Sequence, residues 1–180
     1  ELGNLQEILY FDLSFNPLGG SIPSEIWNLE TLWDLWLVDN NLVGEIPSDV
    51  GNLINLRTLY LGHNQLNGEL PSNLWGLDIE QLYLSDNLFS GEIPPEIGYM
   101  ENLGWLYLDN NQFTSISENI CLQDSTLIYG NDVDYNYYLN LGDNIICNNV
   151  PDCMYNSPGF NYSSNIFKVR AKAINDIRTY

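Results

Sequence analysis

The sequence predicts a β-rich α/β repeat solenoid, a right-handed superhelix with a parallel β-sheet on its concave face. Three observations carry this. An asparagine recurs at Asn16, Asn40, Asn64, Asn87 and Asn111, in steps of 24, 24, 23 and 24 residues, and a fixed period of this size marks a solenoid. The same skeleton returns around each asparagine. Leu32, Leu35, Leu37, Asn40, Leu42, Gly44, Ile46 and Pro47 form one copy, and Leu56, Leu59, Leu61, Asn64, Leu66, Gly68, Leu70 and Pro71 the next. Finally, each unit carries one L-x-L triplet, too short to bury its leucines alone, so stability requires about three or more stacked units.

The first coil runs to about Trp27, with Leu5, Ile8, Phe11, Leu13, Asn16, Leu18 and Ile22 in the set positions. The second and third end near Gly51 and Trp75, and the fourth spans 76–98. Its short step has a cause: Leu77-Asp78-Ile79 is one residue tighter than Leu53-Ile54-Asn55-Leu56. In each coil L-x-L is a strand with both leucines inward. The asparagine at the bend carries donors and an acceptor, and its burial is tolerable only if neighbouring coils satisfy it, which implies an asparagine ladder. Gly20, Gly44, Gly68 and Gly91 suit a tight bend, and Pro23, Pro47, Pro71 and Pro94 set the return path. The fifth coil uses Leu103, Leu106, Leu108, Asn111 and Phe113, then reads Ser115-Ile116-Ser117-Glu118 where Gly-x-Ile-Pro is expected. After an insertion rich in Asp, Asn and Tyr, a half-repeat follows at Leu139-Asn140-Leu141-Gly142-Asp143-Asn144.

These motifs resemble the leucine-rich repeat family, in its plant-type 24-residue subclass. The carrying segments are LGGSIP (18–23), LVGEIP (42–47), LNGELP (66–71) and FSGEIP (89–94), and the resemblance covers roughly Leu2 to Ile120. The final half-repeat with Cys147 and Cys153 is similar to the cysteine-containing caps that close many secreted repeat proteins. The expected organisation is five repeats over 1–121 with the chain starting mid-repeat, a degenerate repeat and cap over 122–156, and a loop plus basic amphipathic tail over 157–180. A Cys147–Cys153 clip is the first choice of disulfide; Cys121 is then left over, and Cys121–Cys147 is the competing link. A disulfide implies an oxidising compartment, so an extracellular or cell-surface location is expected.

The 180 residues fit one domain and carry a formal net charge of −19. Residues 1–167 hold one base, Arg57, whereas Lys168, Arg170, Lys172 and Arg178 cluster at the end. Such an acidic body argues against nucleic acid and favours cationic partners. Nothing resembles a signal peptide or an 18-residue apolar span. Glu1–Leu5 reads like the tail of a preceding coil, which makes the open solenoid ends candidate surfaces for self-assembly or further domains.

The strand positions that face outward decide what this architecture can hold. Between the strand leucines lie Asp12, Trp36, Tyr60, Tyr83, Tyr107 and Asn140, a column with four consecutive aromatics. Two residues earlier are Tyr10, Asp34, Thr58, Gln81, Trp105 and Tyr138; two later are Ser14, Val38, Gly62, Ser85, Asp109 and Gly142. Beside those run Phe15, Asp39, His63, Asp86, Asn110 and Asp143. Exposed Tyr and Trp are rigid contact surfaces with a polar handle. The expected ligand-binding set is Tyr10, Asp34, Trp36, Tyr60, Tyr83, Trp105, Tyr107 and Asp109.

The reading is a non-catalytic extracellular or cell-surface recognition module for a protein or peptide, cationic by charge complementarity. Resemblance to plant-type receptor ectodomains and secreted inhibitors implies the same. The alternatives are a structural component of an extracellular assembly and a carbohydrate-binding adhesin, since flat rings beside acids also suit sugars. Catalysis is not expected: His63 is the single histidine, and a serine triad needs Ser85 or Ser14 beside it. No cofactor is expected, the cysteines lack zinc spacing, and the Asp/Asn run at 132–144 lacks EF-hand spacing for Ca²⁺. Asn161-Tyr162-Ser163 is an N-glycosylation sequon.

Overall fold

A computed structural model describes residues 5, 7–122 and 138–146. Cys147, Cys153, the sequon, the tail after residue 157 and the first part of the Asp/Asn run lie outside the described residues.

Each coil contributes one strand to a principal sheet. In chain order the strands are β1 (Tyr10–Asp12), β2 (Asp34–Trp36), β3 (Val43–Glu45), β4 (Thr58–Tyr60), β5 (Gln65–Glu69), β6 (Gln81–Tyr83), β7 (Leu88–Ile93), β8 (Trp105–Tyr107), β9 (Gln112–Ile116) and β10 (Tyr138–Asn140). The principal sheet is parallel with order β1-β2-β4-β6-β8-β10. Its register is residue for residue: Phe11, Leu35, Leu59, Leu82, Leu106 and Leu139 are successive partners. All six point into the core. The half-repeat expected at 139–144 therefore supplies the sixth strand.

A second parallel sheet, β3-β5-β7-β9, forms just after the asparagine bend. This goes beyond the single concave sheet expected from the sequence. The extended Leu-x-Gly-x-Ile path of each coil lies alongside the same path in its neighbour, so backbone groups that a lone extended segment leaves to water are paired. Gly68 takes φ +82°, and a Cβ there would lie 2.7 Å from Glu45 Cγ. The glycine both adopts a left-handed conformation and lets a carboxylate stem cross it.

Returns are single 3₁₀ turns at Ser24–Asn28, Ser48–Asn52, Ser72–Gly76, Pro95–Tyr99 and Glu118–Leu122. The described residues contain no α-helix, so the solenoid is β-rich with 3₁₀ returns. Prolines 23, 47, 71 and 94 precede four of the turns, and Ile26, Val50, Leu74 and Ile97 plug the core beneath them. In the fifth coil Ser117 replaces the proline. Its Oγ accepts the Asn119 N–H at 3.2 Å, and its own N–H donates to Ile93 O at 2.9 Å.

The asparagine ladder is present. Asn87 is buried; its Nδ2 donates to Leu61 O, Leu84 O and Ser85 O, and its Oδ1 accepts Leu66 N–H at 2.9 Å. Asn64, Asn111 and Asn144 repeat this pattern. The ladder breaks at the first coil. Asn40 Oδ1 is buried without a partner, because Leu18 N–H, the donor at the matching position, turns back to Asn16 O at 2.8 Å. Pro17 lies between them, and its fixed φ redirects the chain there.

Cys121, which the first-choice pairing left over, is disulfide-bonded; the other two cysteines, Cys147 and Cys153, lie outside the described residues.

Candidate functional site

The register fixes the outer face of the principal sheet as a grid. Neighbouring strands lie about 4.8 Å apart, so residues at matching positions become lateral neighbours. In the column Asp12, Trp36, Tyr60, Tyr83 and Tyr107, the four rings pack in sequence. Trp36 and Tyr60 stack with centroids 5.4 Å apart and planes 16° apart. Tyr60–Tyr83 is tilted at 5.6 Å, and Tyr83–Tyr107 is edge-on at 5.4 Å. The rings are half-buried against one another, with Trp36 the most open at 37%. Gly62 makes room for this: a Cβ there would fall 2.2 Å from Tyr83 Cε1.

The next column is Tyr10, Asp34, Thr58, Gln81 and Trp105. Tyr60 donates its hydroxyl to Gln81 Oε1. Burial, and then the Asp34 carboxylate, push the Tyr60 phenol above its ordinary pKa. Tyr10 is 60% exposed and meets the edge of Trp33, itself exposed, at 6.5 Å. Trp105 stands three strands from Asp34, separated from it by Thr58 and Gln81. Of the expected set, Trp36, Tyr60, Tyr83 and Tyr107 form one continuous surface. Tyr10 and Asp34 lie at its β1 end, and Trp105 and Asp109 at its β8 end.

The flanking acids have a backbone cause. Phe15, Asp39, His63, Asp86, Asn110 and Asp143 all have φ between +50° and +61°. Each is the residue before the ladder asparagine, held in the left-handed region that Asp and Asn tolerate. The acidic flank is thus partly a conformational requirement, and Phe15 and His63 are the departures. His63 closes a relay across three coils: Tyr83 Oη to His63 Nε2 at 3.3 Å, His63 Nδ1 to Asp86 Oδ2 at 3.1 Å, and Asn110 Nδ2 to Asp86 Oδ1 at 2.8 Å. The Tyr83 phenol is raised by burial, then by Asp109 and Asp86. Asp109 is raised by burial, against the opposing bond from the Ser85 hydroxyl.

No serine triad forms around His63. Ser85 is buried and donates to Asp109, and Ser14 Oγ accepts Val38 N–H. Among the described residues, no group of three or more His, Cys, Asp or Glu could hold a metal. The sole Lys or Arg there, Arg57, is committed to Asp78, which Asn102 also holds at 2.6 Å; those two contacts keep the Asp78 carboxyl below its ordinary value. Among the described residues, the outer face therefore carries acids with no free Lys or Arg to balance them.

Trp33 and the His63 relay escaped the sequence reading. Trp33 sits between Leu32 and Asp34, one residue outside the strand positions considered. The relay joins residues 20 and 23 apart, meaningful only once the coils stack.

A family model described as Leucine Rich Repeat matches residues 7–29, 31–53, 55–77 and 78–100. No curated protein matches the chain. Among solved structures, that of PEPR1–AtPEP1 is 32% identical with a TM-score of 0.76, over 88% of this chain and 21% of that one. The Arabidopsis receptor kinase HAESA, in complex with the peptide hormone IDA and the co-receptor SERK1, is 31% identical with a TM-score of 0.76, over 87% of this chain and 25% of that one. The leucine-rich repeat protein LIC12759 of Leptospira interrogans is 28% identical with a TM-score of 0.67, over 87% of this chain and 37% of that one. The chain thus spans a quarter or less of the length of the first two.

Proposed function

The chain belongs to the leucine-rich repeat family, and from that premise we propose that it is a non-catalytic, extracellular or cell-surface recognition module for a cationic peptide or protein segment. The carrying observation is the continuous ring surface Trp36–Tyr60–Tyr83–Tyr107, set among carboxylates with no free Lys or Arg beside them among the described residues. Rigid half-buried rings lose little entropy on binding. Unpaired acids steer a basic partner and suppress an acidic one. The HAESA complex with a peptide hormone supports a peptide as the ligand class. Ectodomain structures of other receptor kinases among the similar ones support the location.

The packing favours a peptide over a sugar. Trp36 and Tyr60 each cover one face of the other and Tyr83 and Tyr107 are tilted or edge-on, so the column offers a pyranose a run of edges and a single flat face, that of Trp36 turned from Tyr60. Edges, hydroxyls and acids suit an extended backbone with basic side chains. His63 is engaged with Asp86 and Tyr83, Ser85 with Asp109 and Ser14 with the Val38 backbone, so these groups assemble no serine nucleophile, which supports the non-catalytic reading.

The test is a selection of random peptides on the immobilised protein at low and at high salt, repeated with Tyr60→Ala and Tyr83→Ala. Basic sequences captured at low salt, weakened at high salt and lost in both variants are expected. Recovery of neutral sugars but no basic peptide, or capture indifferent to both substitutions, would overturn the reading.

A further inference from the structure

At the β1 end of the ring surface, four side chains form a checkerboard. Tyr10 is the lateral partner of Asp34, and Asp12 that of Trp36. An aromatic ring thus faces a carboxylate across the strands and along them. Trp36 gives one face to Tyr60, so its other face looks toward β1 and Asp12. Tyr10 is exposed and braced by the edge of Trp33.

The carboxylates differ in commitment. Asp12 Oδ1 accepts the Ser14 N–H at 2.8 Å, which orients it. Asp34 is half-buried, and its carboxylate has no hydrogen bond or ion pair among the described residues. Every other half-buried or buried acid on this face is engaged: Asp86 by His63 and Asn110, Asp109 by Ser85. An unpaired carboxylate held beside aromatic rings offers its oxygens to a cation that can also stack.

We propose that the Tyr10–Asp12–Asp34–Trp36 checkerboard is the anchor subsite for one arginine side chain of the ligand. This rests on the recognition reading above and assigns its anchor. The guanidinium is planar and weakly hydrated. It can lie on the open face of Trp36 while its edge N–H groups reach Asp34 and Asp12. An ammonium has no plane to stack and keeps its hydration more firmly, so lysine fits less well. A carboxylate ligand is repelled.

The probe is N-acetyl-arginine N-methylamide, titrated into the protein while the tryptophan indole resonances are followed by NMR, beside its lysine and citrulline counterparts. A saturable shift of the Trp36 indole is expected for arginine, a weaker one for lysine and none for citrulline. Asp34→Asn weakens arginine by at least about tenfold, the worth of one charge-assisted hydrogen bond, while Asp143→Asn, at an exposed acid at the far end of the face, leaves it unchanged. Trp36→Leu, read through Tyr10, weakens arginine more than lysine. Equal responses to arginine and lysine, or equal losses for Asp34→Asn and Asp143→Asn, would overturn the subsite and leave only a diffuse acidic field. The two readings fail separately. Selected peptides that still bind Asp34→Asn but not Tyr83→Ala would sink the subsite alone. A protein that captures no peptide while the arginine shift persists would sink the recognition reading alone.

Discussion

Replacing Asn87 by alanine tests whether the coils are joined by the polar ladder or merely by packed leucines. The side chain makes four hydrogen bonds. Truncation does not cost them equally. Leu61 O keeps Asn64 Nδ2, Leu84 O keeps Asn111 Nδ2, and Ser85 O keeps the His63 N–H. The Leu66 N–H loses its partner in a buried setting, worth about 1–3 kcal/mol, and three weakened carbonyl bonds add a fraction of that each. The expected loss is about 2–4 kcal/mol, a large part of a typical domain's stability. Asn16→Ala is the control: that side chain is exposed and donates to exposed Leu13 O and Ser14 O, which water can replace, so the loss is below about 1 kcal/mol. Asn87→Asp gives the sign. Its carboxylate still accepts from Leu66 but turns an acceptor toward three carbonyls, so at neutral pH it is worse than alanine, and it improves as the medium is acidified. Urea unfolding followed by tryptophan fluorescence and far-UV circular dichroism measures all three, with coincident transitions as the check on two-state behaviour. An alanine cost no larger at Asn87 than at Asn16, or an aspartate milder than alanine at pH 7, would refute the ladder argument.

Phe15→Asn should stabilise by about 0.5–1 kcal/mol, because Phe15 holds φ +61° with 74% of its surface exposed and contributes little burial; a lower melting temperature would contradict this. Gly62→Ala should push Tyr83 out of the ring surface and cost about 1–3 kcal/mol by overpacking. The readout is loss of near-UV tyrosine signal. Asp109→Asn should change the pH dependence of stability: the native carboxyl titrates above its ordinary 3.8, so the folded state binds the proton more tightly, and stability falls as pH rises through the window between the two values. Unfolding curves across pH 3.5–7 should lose that decline in the variant, and a difference from the parent that does not vary with pH would count against it.

Periodicity made the repeat, the strand triplets and the ladder legible because each is a local rule repeated at fixed spacing. The outward grid followed from the same arithmetic, and the register reproduced it residue for residue. What was misread depends on neighbours. The second sheet exists only when extended segments of adjacent coils run side by side. The flanking acids looked like a binding feature, yet six residues at that position share a left-handed backbone. The cysteines were paired by sequence proximity, which left Cys121 over, whereas it is disulfide-bonded.

By itself, then, the sequence determined the coil, its 24-residue step, the inward leucines and which residues could face outward, since a strand's period of two and a fixed repeat leave no other arrangement that buries the leucines. Only the tertiary structure decided how the outward residues meet. Trp36 and Tyr60 stack face to face, Tyr83 finds room above Gly62, His63 bridges Tyr83 and Asp86, and Asp34 is left without a partner. Those relations span 20 to 24 residues of chain and depend on ring tilt and side-chain reach across a stack of coils, which no spacing within a single coil encodes.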